Sequence, residues 1–130
     1  MPPYAKLQDV VIVLVEDHDD IRSYLSDFLV RKGATVFTCS SALEGLQAVR
    51  RCHPNVVLSD ISLPDQSGFD LLHDIRSLGS ENGGGVPVIA MTALSGIVDR
   101  DSTIAAGFKT HLDKPFRPDQ LLDAVVSALH

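Results

Sequence analysis

The chain predicts an α/β fold: a doubly wound parallel sheet with helices on both faces. Three observations point there. Strand-like and helix-like segments alternate from residue 10 to the end, the pattern of a sheet built from βα units. The strand-like runs are continuously apolar, as in sheets covered on both sides. Three of those runs also stop on polar residues suited to phosphate chemistry. Residues 11–15 stop on Glu16-Asp17, residues 56–59 on Asp60, and residues 88–91 on Thr92.

The elements follow in order. Residues 1–9 read as a short tail, and residues 10–130 as one domain. Strand β1 is residues 11–15. Ile21, Tyr24, Leu25, Phe28 and Leu29 form an apolar stripe of helical period for α1. Asp19 or Asp20 can cap its start and Gly33 can close it. Residues 36–39 supply β2. Ser41-Ala42-Leu43-Glu44 reads as a capping box opening α2, which runs to about residue 51. β3 is residues 56–59. Phe69, Leu71, Leu72 and Ile75 mark α3, ending near Leu78-Gly79. The run from Ser80 to Gly85, with three consecutive glycines, reads as a flexible loop tip. β4 is residues 88–91. A weaker α4 spans residues 96–106, with Ile97, Ile104 and Ala105 as its apolar side and Gly107 as its stop. β5 is residues 110–112. Pro118 opens α5, whose apolar side is Leu121, Leu122, Val125, Val126 and Leu129.

With 130 residues, the chain is near the commonest domain size. It is long enough to bury a core without metal or disulfide staples. Cys39 and Cys52 lack redox-motif spacing and read as buried apolar thiols. A net charge of −6 argues against wrapping nucleic acid. No apolar stretch approaches the roughly 20 residues of a membrane span. Met1-Pro2-Pro3-Tyr4 lacks a signal-peptide pattern, so a cytoplasmic location is expected.

In an open parallel sheet, ligands bind beyond the carboxyl ends of the strands. Glu16, Asp17, Asp60, Thr92 and Lys114 should therefore converge on one edge. Two like charges 4 Å apart repel by about 4 kcal/mol at an effective dielectric of 20. The three carboxylates thus call for positive charge. Mg²⁺ suits such an oxygen-rich set, and the compact Lys114 ammonium adds a second cation. Asp60 can then serve as a nucleophile that forms an aspartyl phosphate. The cation, Lys114 and the Thr92 hydroxyl would each take one equatorial oxygen of the transition state. Singly, each residue is an ordinary turn, cap or surface residue. On successive strands of one βα pattern, they are together a site.

Four segments carry a family resemblance: Val-Leu-Val-Glu-Asp at 13–17, Ser-Asp-Ile-Ser-Leu-Pro-Asp-Gln-Ser-Gly at 59–68, Ile-Ala-Met-Thr-Ala at 89–93, and Asp-Lys-Pro-Phe at 113–116. In this order and spacing, the chain resembles the receiver domain of two-component response regulators over about residues 10–129. The resemblance implies a flavodoxin-like (βα)5 sheet of strand order 2-1-3-4-5. It makes Asp60 the phosphoacceptor. Asp17 would ligate Mg²⁺ directly, Glu16 directly or through water, and Ser62 through its backbone carbonyl. Thr92 would be the switch hydroxyl, Lys114 the phosphoryl-contacting lysine, and Pro115 a cis proline. The donor would be a phosphohistidine on a sensor histidine kinase or a phosphotransfer protein. The α4–β5–α5 surface would meet a downstream protein, and a phosphorylation-dependent homodimer is compatible with it.

The switch ring, normally Tyr or Phe, is His111 here, which makes it polar and titratable. Ser62 and Leu94 occupy the positions that tune dephosphorylation, and Leu94 cannot orient water, which suggests slow hydrolysis. His18, His53, His73 and His130 lack ligand-like spacing and read as surface residues. The resemblance implies a signalling domain rather than a turnover enzyme. Two alternatives fit less well. An aspartyl-nucleophile phosphohydrolase usually has a second Asp two residues after the nucleophile, where Ser62 stands. A flavodoxin-like cofactor binder needs a loop rich in Ser, Thr and Gly after β1, where residues 16–20 are acidic. A stand-alone receiver and a receiver cut from a longer protein both remain open, with Met1 favouring the first.

Overall fold

The computed structural model describes residues 6–93 and 100–130. Five strands, β1 (Val11–Val15), β2 (Thr35–Cys39), β3 (Val56–Asp60), β4 (Val88–Ala93) and β5 (Thr110–Lys114), form one sheet. All pairings are parallel, in the order β2-β1-β3-β4-β5. The helices are α1 (Asp19–Arg31), α2 (Ala42–Cys52), α3 (Gly68–Arg76), α4 (Arg100–Ala106) and α5 (Pro118–Ala128). No helix among the described residues is long and apolar enough to cross a membrane.

Alternate strand residues feed two cores, as the period of two requires. Ile12, Leu14, Leu58, Ile89 and Met91 pack with Leu25 and Leu29 of α1 and Leu121 and Val125 of α5. Val13, Val15, Val57 and Ala90 pack on the opposite face with Val49 of α2 and Leu71 and Ile75 of α3. Leu7, inside the stretch read as a tail, is fully buried in the first core, and its N–H donates to Lys32 O at 2.8 Å.

Several helix ends differ from the sequence reading. Asp19 and Asp20 lie in the first turn of α1. The N-cap is His18, whose side chain makes no capping bond. Ser41 caps α2 by accepting the Glu44 N–H, but the Glu44 carboxylate accepts from Ser40 N–H at 2.9 Å, one residue earlier than a capping box requires. The Asp65 carboxylate supplies further caps, accepting from Ala42 N–H at 2.9 Å and Leu43 N–H at 3.0 Å.

Ile104 and Ala105 are exposed, and the buried residue of α4 is Thr103. Ile97 and Gly96 lie outside the described residues. Residues 80–85 are tied down rather than loose. A 3₁₀ turn spans Ser80–Asn82, and the Arg76 guanidinium donates to Gly84 O at 2.9 Å and Val86 O at 2.6 Å. A Cβ on Gly84 would stand 2.7 Å from Gly79 O, so the tight turn itself requires a glycine. Cys39 is buried and Cys52 half-buried, and both thiols are free.

Candidate functional site

Sheet register assembles the site. Val15 pairs with Ser59, so Glu16 and Asp60 leave adjacent strands side by side. Thr92 pairs with Asp113, which puts Lys114 one residue beyond that edge. Lys114 Nζ donates to Asp60 Oδ2 at 2.9 Å and also to Glu16 Oε1. Glu16 is fully buried and Asp60 only 5% exposed. Both rest on the carboxyl ends of interior strands, where main-chain bonds are already committed.

The turn after β3 holds Asp60 in place. Ser62 N–H donates to Asp60 Oδ1 at 3.2 Å, and Gly68 N–H donates to Ile61 O at 2.7 Å. A Cβ at residue 68 would lie 2.6 Å from Asp60 O and 2.9 Å from Ile61 Cα, so this close approach admits only glycine. Lys114-Pro115 is cis, as the resemblance implies.

The charges divide unevenly. Burial pushes the Asp60 carboxyl above its usual range, and the neighbouring Glu16 charge adds to this, against the pull of Lys114. Burial also acts on Glu16, but Lys114 and the His18 contacts outweigh it and hold Glu16 below its usual value. Burial would lower Lys114, but Glu16 and Asp60 raise it. One ammonium serves two carboxylates. Glu16 also accepts from His18 N–H at 3.2 Å.

Asp17 extends the cluster. Its Oδ1 is buried without a hydrogen-bond partner among the described residues, and an unpaired buried oxygen is costly. Ligand atoms from Glu16, Asp17, His18 and Asp60 all lie within 4.8 Å of one another. Hard oxygens, an unmatched acceptor and excess negative charge fit a divalent cation. His18, read as a surface residue, is 66% exposed at its side chain but stands at this rim, with Nδ1 3.2 Å from Glu16 Oε2.

The switch residues are gathered separately. Thr92 is buried, and its Oγ1 lies 2.8 Å from His111 Nε2 and 3.3 Å from Asp113 Oδ1. His111 is buried too. Its Nδ1 lies 2.8 Å from Thr103 Oγ1 in α4. The Thr103 hydroxyl donates to Arg100 O at 2.8 Å, so its oxygen is left to accept from His111 Nδ1–H. Nε2 also meets Asp113 Oδ1 at 2.7 Å. The ring therefore ties β4, β5 and α4 together. Leu94 lies outside the described residues.

Sequence reasoning missed His18, Thr103 and Asp113. Asp113 sits beside Lys114 in a quoted motif and could have been found there. Thr103 carried no signal, being a polar residue on a weakly periodic helix.

The pairing of this acid–lysine edge with strand order 2-1-3-4-5 invites comparison with known proteins. The sequence profile of the response regulator receiver domain matches residues 12–126. The chain belongs to the response regulator receiver family. A 14.6 kDa protein from Leptolyngbya boryana is 34% identical over 119 residues, covering 92% of this chain and 89% of that protein. The transcriptional regulatory protein GltR of Pseudomonas aeruginosa is 34% identical over 118 residues, 91% of this chain but 48% of GltR. The Escherichia coli regulator KdpE is 31% identical over 105 residues, 81% of this chain and 44% of KdpE. The receiver chain thus spans about half the length of these two transcriptional regulators.

Solved receiver structures superpose closely. A receiver domain protein from Clostridium thermocellum has a TM-score of 0.82 at 25% identity, covering 92% of this chain and 94% of that one. The receiver domain of a Pseudomonas aeruginosa sensor histidine kinase has a TM-score of 0.82 at 28% identity, covering 92% and 97%, and holds a magnesium ion in its active-site cleft. The present chain is a receiver of two-component signalling, and its acidic cluster could bind a metal.

Proposed function

We propose that this receiver accepts a phosphoryl group on Asp60 and uses it to reset the α4–β5–α5 surface. The observation that carries this reading is the Lys114 ammonium 2.9 Å from Asp60 Oδ2, beside the unpaired Asp17 oxygen. The donor is a phosphohistidine on a sensor kinase or phosphotransfer protein. An Asp60 oxygen attacks phosphorus as the P–N bond breaks. The imidazole leaves with the bonding electrons and is neutral if its other nitrogen carries a proton. Lys114 then turns from Asp60 to a phosphoryl oxygen, keeping Glu16 as its counterion.

Magnesium would be held by Asp17, Asp60 and the Ser62 carbonyl, with Glu16 direct or through water. When bound, it supplies charge neutralisation for the carboxylates and the incoming phosphoryl oxygens. The Thr92 hydroxyl exchanges its contact with His111 for a phosphoryl oxygen. His111 then loses one of its three polar anchors, and Thr103 transmits the change to α4. A downstream protein or a second receiver reads the altered face, and the domain itself binds neither nucleic acid nor membrane. Of the two positions that tune hydrolysis, Leu94 has no group that orients water, so the acyl phosphate outlasts a timescale of seconds.

Acetyl phosphate with Mg²⁺ tests the chemistry. Intact mass should rise by one phosphoryl group, and Asp60→Asn should abolish that adduct. Steady phosphoester turnover without an adduct would instead support the hydrolase reading. An unlabelled wild-type protein with a competent donor would overturn the proposal.

A further inference from the structure

His18 is misplaced for the job its position usually has. It is the N-cap of α1, where Ser, Thr, Asp and Asn are preferred because their side chains accept helix N–H bonds. Its ring makes no such bond. It turns back instead over the acid cluster, with Nδ1 3.2 Å from Glu16 Oε2 and 3.5 Å from Asp17 Oδ1. That second oxygen is the buried one without a hydrogen-bond partner. The backbone at His18 is extended, with φ −79° and ψ 116°. Its own N–H donates to Glu16 Oε2 at 3.2 Å, which fixes the residue against the site.

We infer that His18 is a nitrogen ligand that widens this metal site from hard cations to borderline transition metals such as Ni²⁺. The inference rests on the cation site proposed above. Imidazole suits Zn²⁺, Ni²⁺ and Cu²⁺, while carboxylates, carbonyls and water suit Mg²⁺. Two ligands at about 2.1 Å from one octahedral ion stand roughly 3.0 Å apart when adjacent and roughly 4.2 Å apart when opposite. The 3.2 and 3.5 Å separations lie between those two values, and the four donor atoms together lie within 4.8 Å of one another, slightly wider than one octahedral shell. Mg²⁺ gains little from the ring. Ni²⁺ gains a strong donor, in exchange for a water it would otherwise hold.

Any oxygen site prefers Ni²⁺ to Mg²⁺, so the test is the part of that preference that depends on His18. Ni²⁺ and Mg²⁺ affinities should be measured by calorimetry on the untagged chain, its His18→Ala and His18→Gln variants, and Asp17→Asn. Either His18 change should weaken Ni²⁺ roughly tenfold or more and leave Mg²⁺ within about twofold. Asp17→Asn should weaken both ions. Proton spectra of the Ni²⁺ protein should show hyperfine-shifted imidazole resonances that vanish in His18→Ala. The exposed ring leaves folding intact, which thermal unfolding of the variants verifies. Equal losses for both ions, Ni²⁺ binding indifferent to His18, or Ni²⁺ binding indifferent to Asp17 would each overturn the inference. Ni²⁺ binding that needs His18, without any measurable Mg²⁺ binding, would support it and count against the magnesium-dependent function.

Discussion

Removing the Lys114 ammonium gives the sharpest test of the site's electrostatics. Lys114→Met keeps the alkyl stem but strands Glu16, which is fully buried, and Asp60, which is 5% exposed. Stranding a buried charge costs about 3–5 kcal/mol. Protonation sets a ceiling. A carboxyl with an ordinary value of 4.5 can take up a proton at pH 7 for about 3.4 kcal/mol, at 1.36 kcal/mol per pH unit. At pH 5 the same neutralisation costs only about 0.7 kcal/mol.

Linkage gives the same sign. In the wild type Glu16 lies below its usual value, so its contribution is present above pH 4.5 and is lost as pH falls through the folded value. In Lys114→Met the stranded carboxyl rises instead, and the folded state binds the extra proton. The variant should therefore be about 3 kcal/mol less stable than wild type at pH 7, and less than about 1 kcal/mol at pH 5. Urea unfolding at both pH values, without divalent ions, measures this. Adding Asp60→Asn to Lys114→Met should recover part of the loss at pH 7. A pH-independent loss, or a change below about 1 kcal/mol at pH 7, would refute the reasoning.

Other outcomes follow from single contacts. Gly68→Ala forces a Cβ to 2.6 Å from Asp60 O; it should destabilise by about 1–3 kcal/mol and slow Asp60 labelling, read by denaturation and acetyl phosphate kinetics. His111→Phe gives up polar contacts to Thr92, Thr103 and Asp113; a loss of about 1–2 kcal/mol is expected, with Asp60 labelling kept and phosphorylation-dependent partner binding altered. Burial pushes the Cys39 thiol up to about 11, so a thiol-directed disulfide reagent at pH 8 should modify Cys52 first and Cys39 only on unfolding.

The sheet and the acid–lysine edge were legible because they rest on local rules. Apolar runs mark buried strands, and the βα alternation sends every strand's carboxyl end to one side. Residues after four different strands could be assigned to one edge without knowing a single contact; the structure joins Glu16, Asp60 and Lys114 by hydrogen bonds and sets Thr92 against His111. The rest depends on tertiary geometry. The α4 reading placed Ile104 and Ala105 inside, but the helix buries Thr103 because His111 offers its hydroxyl a partner. The glycine-rich run at 83–85 reads as loose by composition, yet Arg76 reaches across to hold it. His18 reads as a surface residue, and only the path of the chain into α1 shows its ring over the acids.

The charge balance of the edge explains why one arrangement can serve a reversible switch. With their carboxyls ionised, Glu16, Asp17 and Asp60 against Lys114 leave two uncompensated negative charges. A divalent cation would cancel that excess, and Asp17 Oδ1, without a hydrogen-bond partner among the described residues, fits such a ligand. Burial holds the Asp60 carboxyl above its usual range, while Glu16 is held below its own. Of those two, Asp60 gives up less by exchanging its charge for an acyl phosphate, a mixed anhydride. The phosphoryl oxygens then carry the negative charge outward, toward the end of β4, where Thr92 waits on His111. In that reading, Lys114 and the cation are shared by the free and phosphorylated forms. On the proposed mechanism only the Thr92 hydroxyl chooses between two partners, and that choice is what would be passed to α4. The ring that Thr92 releases remains tethered to Thr103 and Asp113. A Thr92→Val substitution should then slow Asp60 labelling without abolishing it, while uncoupling the adduct from partner binding. Equal partner affinity of phosphorylated Thr92→Val and phosphorylated wild type would place the switch elsewhere.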